Sequence, residues 1–198
     1  MIVVMKSLIA YTDGSQINVT NMKHVGKKIH SLIKISSSAF RVAYEGIEEE
    51  FTYTYDFKQN PACPELMAIC QTFLFAFEHD YTPSQVSIYT DYQNFVNFQY
   101  TLHSRRNSPY LDQYPTVMKI KELCSIMDWD CEVMIAYMKN SRIRWVKAHH
   151  GCIYNNRVDY LARTTAKGVY DSNAKVLHYD TWMLMQQTHV NPHHGFVR

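Results

Sequence analysis

The first half of the chain consists of short segments in which apolar and polar residues alternate. Residues 2–11 (IVVMKSLIAY) are rich in strand-forming side chains and are followed by a turn signal. Residues 39–44 and 51–57 alternate at period two on either side of an acidic connection, which is the pattern of an antiparallel hairpin. The sequence therefore predicts a three-stranded meander, with residues 16–28 as a loop.

The second half shows apolar residues at helical spacing, interrupted by two short apolar segments. Pro61 and Pro64 precede a helix whose apolar residues recur every three or four positions. Asp130 is placed to cap the N-terminus of a later helix. The predicted elements are a helix ending near residue 80, helices over 95–98, 116–127, 131–139 and 155–166, strands over 86–90 and 142–147, and a polar loop over 100–114.

The composition fits one folded domain with an appendage. The chain has 198 residues, of which 46% are hydrophobic and 14% aromatic, so a sizeable core can form. Its net charge is only +2, so a nucleic-acid partner would have to meet a local basic patch. We expect a domain over residues 1–167 and a C-terminal extension over 168–198, a docking helix and tail that includes Trp182. The oligomeric state is not readable from the sequence, and a monomer is the working expectation.

Cysteine usage and hydropathy indicate a cytoplasmic protein. The five cysteines include no C-x-x-C pair, which favours reduced thiols over a disulfide framework or a zinc ribbon. No run of about 18 apolar residues is present to span a membrane. Residues 1–11 lack the cleavage site of a signal peptide. The sequence therefore predicts no membrane partner.

Four carboxylates occupy positions that an α/β layer would bring together. Asp13 is predicted at the end of the first strand and Asp91 just past the fourth. Glu65 falls in the first turn of a helix, and Asp159 falls inside the last helix. Strand ends in such a layer share one crevice, where carboxylates repel one another unless a divalent cation compensates their charge. Oxygen ligands without cysteine suit Mg²⁺ or Mn²⁺, and two such ions are common machinery for phosphoryl displacement.

Each of these residues also has an ordinary structural explanation. An Asp before Gly is common in turns, and a Glu in a first helical turn complements the helix dipole. An Asp within a helix is usually solvated. Only the combination of all four carboxylates points to a catalytic site.

With these carboxylates in place, the sequence resembles the type 1 ribonucleases H. The matching segments are YTDGS at residues 11–15, ELMA at 65–68, YTDYQ at 89–93, WVKAHHG at 145–151 and NNRVDYLAR at 155–163. The resemblance covers most of the chain before the C-terminal extension. It implies an α/β, ribonuclease H-like fold whose central mixed five-stranded sheet, three antiparallel strands followed by two parallel ones, is flanked by helices.

The resemblance also implies an activity. It is that of a metal-dependent endonuclease that hydrolyses the RNA strand of an RNA–DNA hybrid and leaves a 3′-hydroxyl and a 5′-phosphate. By motif match, Asp13 would bridge two Mg²⁺ ions, for which Mn²⁺ would substitute. Glu65 and Asp91 would hold one side, and Asp159 would complete the other. His149 matches the family's mobile histidine, which resembles an assistant in proton transfer or product release.

Contacts to the hybrid are implied by the same motifs. The backbone of Gly14 and Ser15 would lie beside the RNA strand. Gln93 matches a position that touches the minor groove of the hybrid, and Asn155 matches one near the metal site.

A basic segment follows the fourth strand. Arg105 and Arg106 fall where many family members carry a protrusion that grips the phosphates of the DNA strand. A solvated loop explains the two arginines equally well. The sequence departs from the family in the longer connection after Gly14 and in the prolines before Glu65, which puts sugar and base contacts from those loops in doubt.

Two other functions stay open at this point. The chain could be a nuclease of the wider ribonuclease-H-like group that cuts DNA, or an inactive module that binds hybrids. Residues 145–149 and Gln93 favour the hybrid nuclease. The presence of all four carboxylates argues against an inactive module, because degenerate modules usually lose one.

Overall fold

The structure is a computed structural model that describes residues 6–20, 32–56, 64–104, 113–148, 150–168 and 174–178. Its strands are β1 (Leu8–Thr20), β2 (Leu32–Tyr44), β3 (Ile47–Asp56), β4 (Val86–Thr90), β5 (Arg142–Trp145) and β6 (Lys175–His178). Its helices are α1 (Pro64–Glu78), α2 (Gln93–Ser104), α3 (Pro115–Met127), α4 (Cys131–Asn140) and α5 (Ile153–Ala166).

The strands form one mixed sheet in the order β5-β4-β1-β2-β3-β6. β1, β2 and β3 are antiparallel neighbours, whereas β4 pairs in parallel with β1 and β5 in parallel with β4. The predicted α/β fold, with three antiparallel strands, two parallel strands and flanking helices, is confirmed. β6 adds a sixth strand, parallel to β3, from within the C-terminal extension.

Helices cover both faces of the sheet, because successive strand residues point to opposite sides. Phe40 of β2 belongs to the large core, which also contains Phe73 of α1 and Phe95 of α2. Its neighbour Ala39 belongs to a smaller core together with Leu161 of α5. Each fully buried large apolar side chain contributes about 1.5–3 kcal/mol to folding. The carboxylates discussed below lie where the parallel pairing of β1 and β4 ends.

Serine hydroxyls on β2 attach one helix to each face. Ser37 Oγ donates a hydrogen bond to the carbonyl oxygen of Ala162 in α5. Ser38 Oγ donates to Gln71 Oε1 in α1 at 2.7 Å. Both serines are buried, so the hydrogen bonds offset the cost of removing their hydroxyls from water. Small polar residues here let the helices approach the sheet closely.

The strands at the start of the chain are longer than the sequence indicates. Residues 16–20, predicted as loop, continue β1, and β2 begins at Leu32 rather than at residue 39. The turn signal at residues 13–15 and the three serines at 36–38 interrupt the hydrophobic pattern, which hides the full length of both strands. Pairing between strands holds them instead, as when Gln16 Nε2 donates to Ser36 Oγ at 2.9 Å.

α2 is likewise longer than predicted, since it spans Gln93–Ser104 and includes the start of the expected loop over 100–114. Gln99 is a polar residue, but its buried side chain holds α2 against the rest of the fold. Its buried amide Nε2 donates to the carbonyl oxygens of Met138 (3.1 Å) and Ser141 (2.7 Å). Its Oε1 accepts from the backbone N–H of Ile143 at 3.2 Å. A polar residue inside a helix therefore joins α2 to the end of α4 and the start of β5.

Of the predicted C-terminal extension, residues 168 and 174–178 are described, and residues 175–178 form β6. The docking helix and tail predicted around Trp182 lie outside the described residues, and the domain boundary at 167 stays a prediction. Among the described residues, no helix has the length and apolar character needed to cross a membrane.

Candidate active site

Two of the predicted carboxylates meet where the parallel pairing of β1 and β4 ends. The last paired residues are Thr12 and Thr90, so Asp13 and Asp91 are the next residue on each strand. β1 itself continues to Thr20 beside β2, so Asp13 lies within a strand rather than at its end. The carboxyl ends of parallel strands open a crevice at this edge.

Glu65 reaches the same place because α1 begins against β1. A Cβ atom on Gly14 would lie 2.2 Å from both the backbone nitrogen of Glu65 and the carbonyl carbon of Pro64. Only a residue without a side chain permits this approach. Glu65 stands in the first turn of α1, next to Asp13, because the strand and the helix touch through their backbones.

The three carboxylates form a compact group. Asp13, Glu65 and Asp91 each offer an oxygen within 4.8 Å of the others. Asp13 is buried, with 5% of its surface exposed. Burial and the negative charge of Asp91 raise the pKa of Asp13 to about 7, although hydrogen bonds with Glu65 and from the Gly14 N–H act in the opposite direction. Burial and the neighbouring carboxylates thus together oppose the ionisation of Asp13.

Asp159, the fourth predicted carboxylate, is held differently. It lies on α5, close enough to contribute to the raised pKa of Asp13, but it is outside the group of three. Arg163, one helical turn later, donates from Nη2 to Asp159 Oδ2 at 2.8 Å. The sequence interpretation did not single out Arg163, although its spacing of four from an Asp on a helix was a readable signal.

Asn155 lies one turn before Asp159 on the same face of α5. It is 1% exposed, and neither polar atom of its side chain has a hydrogen-bond partner within the part of the chain that the structure describes. Buried amides are normally paired, so this one is available to a bound group. The structure thus places Asn155 on the same face of α5 as Asp159, and its proximity to a metal stays a prediction.

The other predicted contact residues have varied surroundings. Ser15 is half-buried on β1, and Gln93 is exposed as the first residue of α2. The Gln93 N–H donates to the Asp91 carbonyl oxygen at 2.7 Å, which holds the start of α2 against the site. His149, Arg105 and Arg106 lie outside the described residues.

The donor set fits a hard divalent cation. Three carboxylates converge, one of them buried and with its pKa raised, and among the described residues no thiol or imidazole belongs to the group. Oxygen ligands of this kind are those that Mg²⁺ and Mn²⁺ prefer, and a cation would relieve the repulsion that raises the pKa of Asp13. Such an arrangement is common to sites that activate water or stabilise a leaving oxygen.

Comparison with known proteins agrees with this architecture. The chain is similar to a solved structure of the foamy viral protease-reverse transcriptase in complex with dsDNA, with a TM-score of 0.52 and 17% identity over 85% of this chain and 99% of that one. At this identity the likeness concerns the fold. A structure of NurA bound to dAMP and manganese matches at a TM-score of 0.23 and 13% identity, over 82% of this chain and 37% of that one, which supports no conclusion. No curated protein sequence matches.

The family comparison is more extensive. The sequence profile of the RNase H family matches residues 5–167, which include all four carboxylates. The fold, with its mixed sheet and flanking helices, agrees with that match. The chain therefore belongs to the RNase H family.

Proposed function

We propose that the chain is a metal-dependent endonuclease that hydrolyses the RNA strand of RNA–DNA hybrids, leaving 3′-hydroxyl and 5′-phosphate ends. The observation that carries the proposal is the convergence of Asp13, Glu65 and Asp91 within 4.8 Å at the end of the parallel strands. Members of the RNase H family are normally dependent on divalent metals, and this chain matches the family over residues 5–167.

The residues that would hold the cations follow from the positions of the carboxylates. Asp13, Glu65 and Asp91 would bind one Mg²⁺ ion, and Asp13 together with Asp159 would bind a second, with Mn²⁺ as a substitute. Cations bound there would lower the pKa of the attacking water and stabilise negative charge on the leaving oxygen. The chain's own contribution is to hold the carboxylates in place: Gly14 sets the approach of Glu65, and α5 presents Asp159.

Substrate contacts belong to the same proposal. The exposed Gln93 side chain would touch the minor groove of the hybrid, beside Asp91. The backbone of Gly14 and Ser15 would lie against the RNA strand, where β1 continues past the end of β4. The buried amide of Asn155 would orient a group bound at Asp159.

His149 would assist proton transfer or product release. Replacement by Ala should then lower kcat while hybrid binding stays nearly unchanged. Loss of binding with unchanged turnover would make His149 a contact residue instead. Arg105 and Arg106 would grip the phosphates of the DNA strand, and their double replacement by Ala should weaken hybrid binding and flatten its salt dependence.

The test is cleavage of a labelled hybrid beside matched RNA duplex, DNA duplex and single strands. Each substrate is incubated with Mg²⁺, with Mn²⁺ or with EDTA, for the parent and for Asp13→Asn purified in parallel. The expected result is metal-dependent cleavage of the RNA strand of the hybrid by the parent and no cleavage by the variant. The Asp13→Asn preparation controls for host nucleases.

Other outcomes assign the chain differently. Cleavage of the DNA duplex would make it a DNA-acting nuclease of the wider ribonuclease-H-like group. Hybrid binding without any cleavage would make it an inactive binding module. Equal cleavage by the parent and by Asp13→Asn would overturn the assignment of the carboxylate group as the catalytic site.

A further inference from the structure

Three tyrosines and two arginines form a surface beside the carboxylates, on the face of the sheet that carries α5. We call Tyr11, Tyr89, Tyr154, Arg142 and Arg144 the Tyr–Arg surface. The rings of Tyr11 and Tyr89 stack with centroids 5.0 Å apart and an interplanar angle of 17°. The ring of Tyr154 lies 5.1 Å from that of Tyr11 and is 36% exposed. The aromatic rings are therefore contiguous and reach solvent.

Strand register places an arginine at the edge of this aromatic group. Arg144 of β5 is opposite Tyr89 of β4, which is opposite Tyr11 of β1. Opposite residues in neighbouring strands share a face, so Arg144 lies next to Tyr89. Arg142 is opposite Ser87 on the same face, one step of the alternation earlier. Both arginines are exposed.

The two arginines differ from Arg41, which lies opposite Tyr11 on β2 and 4.5 Å from the centroid of the Tyr154 ring, and from Arg157 of α5. Arg41 and Arg157 both pair with Glu50. Within the described ranges, neither Arg142 nor Arg144 has a carboxylate partner. In a chain with a net charge of only +2, two uncompensated arginines beside an aromatic group are a local basic patch.

The Tyr–Arg surface lies close to the carboxylate group. Asp13 follows Tyr11 by two residues on the same face of β1, a distance of about 7 Å along the strand. Arg144 lies two strands away from Tyr11, about 10 Å across the sheet. Asp13 and Arg144 are therefore about 12 Å apart, which corresponds to three or four stacked nucleotides at about 3.4 Å for each.

We propose that the Tyr–Arg surface binds single-stranded nucleic acid, the continuation of a substrate strand beyond the carboxylate group. The proposal rests on the proposed nuclease function for its biological meaning. Guanidinium groups bind phosphates, and tyrosine rings stack on bases that are free of a complementary strand. A duplex keeps its bases within its own stack, so the aromatic part of the surface would have nothing to contact there.

Arginines on an edge strand also have a purely structural use, because charge there discourages pairing with another sheet. That use requires neither the tyrosines nor any affinity for nucleic acid. The experiment therefore compares removal of the arginines with removal of the same charge elsewhere.

The test is the binding of a short fluorescent oligothymidylate in EDTA, followed by anisotropy over a range of salt concentrations. Arg142→Gln/Arg144→Gln should weaken binding about tenfold or more and reduce the slope of log affinity against log salt by about 1.4, or 0.7 for each phosphate that is no longer neutralised. The control, Lys167→Gln/Lys175→Gln, removes two exposed positive charges outside the Tyr–Arg surface, at the end of α5 and at the opposite edge of the sheet, and should leave the slope unchanged. Tyr154→Leu should weaken binding about fivefold without changing the slope.

Equal slopes for the two double variants would overturn the proposal, as would weaker binding of a blunt hybrid with unchanged binding of the oligothymidylate. Arg142→Lys/Arg144→Lys keeps the charge and should restore most of the slope, which excludes misfolding as the cause of the reduced affinity. Failure of the proposed nuclease function is a separate outcome. If the protein cleaves no hybrid but binds oligothymidylate with these slopes, the nuclease assignment is wrong and the binding proposal still holds.

Discussion

Two carboxylates on different strands of this sheet have opposite surroundings. Glu50 on β3 accepts hydrogen bonds from Arg157 Nη2 at 2.6 Å and from Arg41 Nη1 at 3.2 Å. Asp13 on β1 is 5% exposed and faces Glu65 and Asp91, two further carboxylates. One acid is neutralised by the fold, and the other is crowded with like charge.

The difference separates a structural role from a functional one. A buried charged side chain is tolerated by the fold only when its ion-pair partner is present. Removing one member of the pair leaves the other charge buried and uncompensated. A carboxyl group surrounded by other carboxylates instead destabilises the fold when no cation is bound. Its position is therefore explained by a ligand that it binds and not by the stability of the fold. Substitutions at the two sites should therefore have opposite signatures.

The largest expected effect follows from Asp13→Asn. It should reduce hybrid cleavage by at least about a thousandfold, or about 4 kcal/mol of activation free energy. In metal-free buffer near neutral pH it should raise the free energy of unfolding by about 1–2 kcal/mol, because it removes a charge that the site repels. Cleavage assays and urea denaturation in EDTA measure the two effects.

Glu50→Gln is the matched control at the paired site. It should lower the free energy of unfolding by about 2 kcal/mol, because Arg41 and Arg157 lose a shared partner. The cleavage rate per folded molecule should stay within about twofold of the parent. A stabilised Glu50→Gln, or a destabilised Asp13→Asn, would remove the distinction between the two sites.

Gly14→Ala tests the contact that brings Glu65 to Asp13. The added Cβ would lie 2.2 Å from backbone atoms of Pro64 and Glu65, so α1 must move. We expect a loss of about 1–3 kcal/mol in stability and about a hundredfold in cleavage, since an error of about 1 Å in a catalytic group has that effect. Ser15→Ala, next along β1, is the control. Full activity in Gly14→Ala would show that the spacing tolerates movement of α1.

The pH dependence of stability provides a further test of the crowded acid. The pKa of Asp13 is about 7 in the folded chain against 3.8 for an ordinary Asp, so the folded state binds the extra proton between about pH 4 and about pH 7. Stability in EDTA should therefore fall as pH rises through this range, by at most about 1.4 kcal/mol for each pH unit from this group. Denaturant titrations at several pH values measure the slope. The slope should be smaller in Asp13→Asn, and an unchanged slope there would assign it to other groups.

The smallest expected effect concerns Arg163, which would share Asp159 Oδ2 with a cation bound as proposed. Arg163→Gln should lower stability by about 0.5 kcal/mol, the usual contribution of an exposed helical pair. It should also lower the Mn²⁺ concentration for half-maximal cleavage by about threefold, because the guanidinium no longer competes. A higher Mn²⁺ requirement would instead mean that Arg163 holds Asp159 ready for the cation.

Much of this architecture could be predicted from the sequence because the signals were local. Alternation over residues 51–57 and helical spacing after Pro64 follow from the periodicities of strand and helix. Alternation also continues over residues 16–20, but the turn signal at residues 13–15 indicated that β1 ends there, whereas pairing with β2 carries the strand through it. Partners distant in sequence also explain why Gln99 lies in a helix.

The candidate site shows the same limit. The sequence placed Asp13 and Asp91 at strand ends, and parallel pairing brings them together. It could not show that Asp159 lies outside the group of three, because that depends on how α5 lies on the sheet. The pair between Asp159 and Arg163, in contrast, was readable from their spacing of four on a helix. The steric role of Gly14 was equally invisible, because it arises from a helix that begins about fifty residues later in the chain.

The Gln99 amide has a consequence for how the sheet resists association. β5 has only four residues and lies at the edge of the sheet, where short strands fray and open backbone groups can recruit another chain. Because Gln99 Oε1 accepts the N–H of Ile143, this backbone donor is already occupied. Hydrogen exchange at Ile143 should consequently be slow for so short an edge strand, and Gln99→Leu should both accelerate that exchange and promote aggregation.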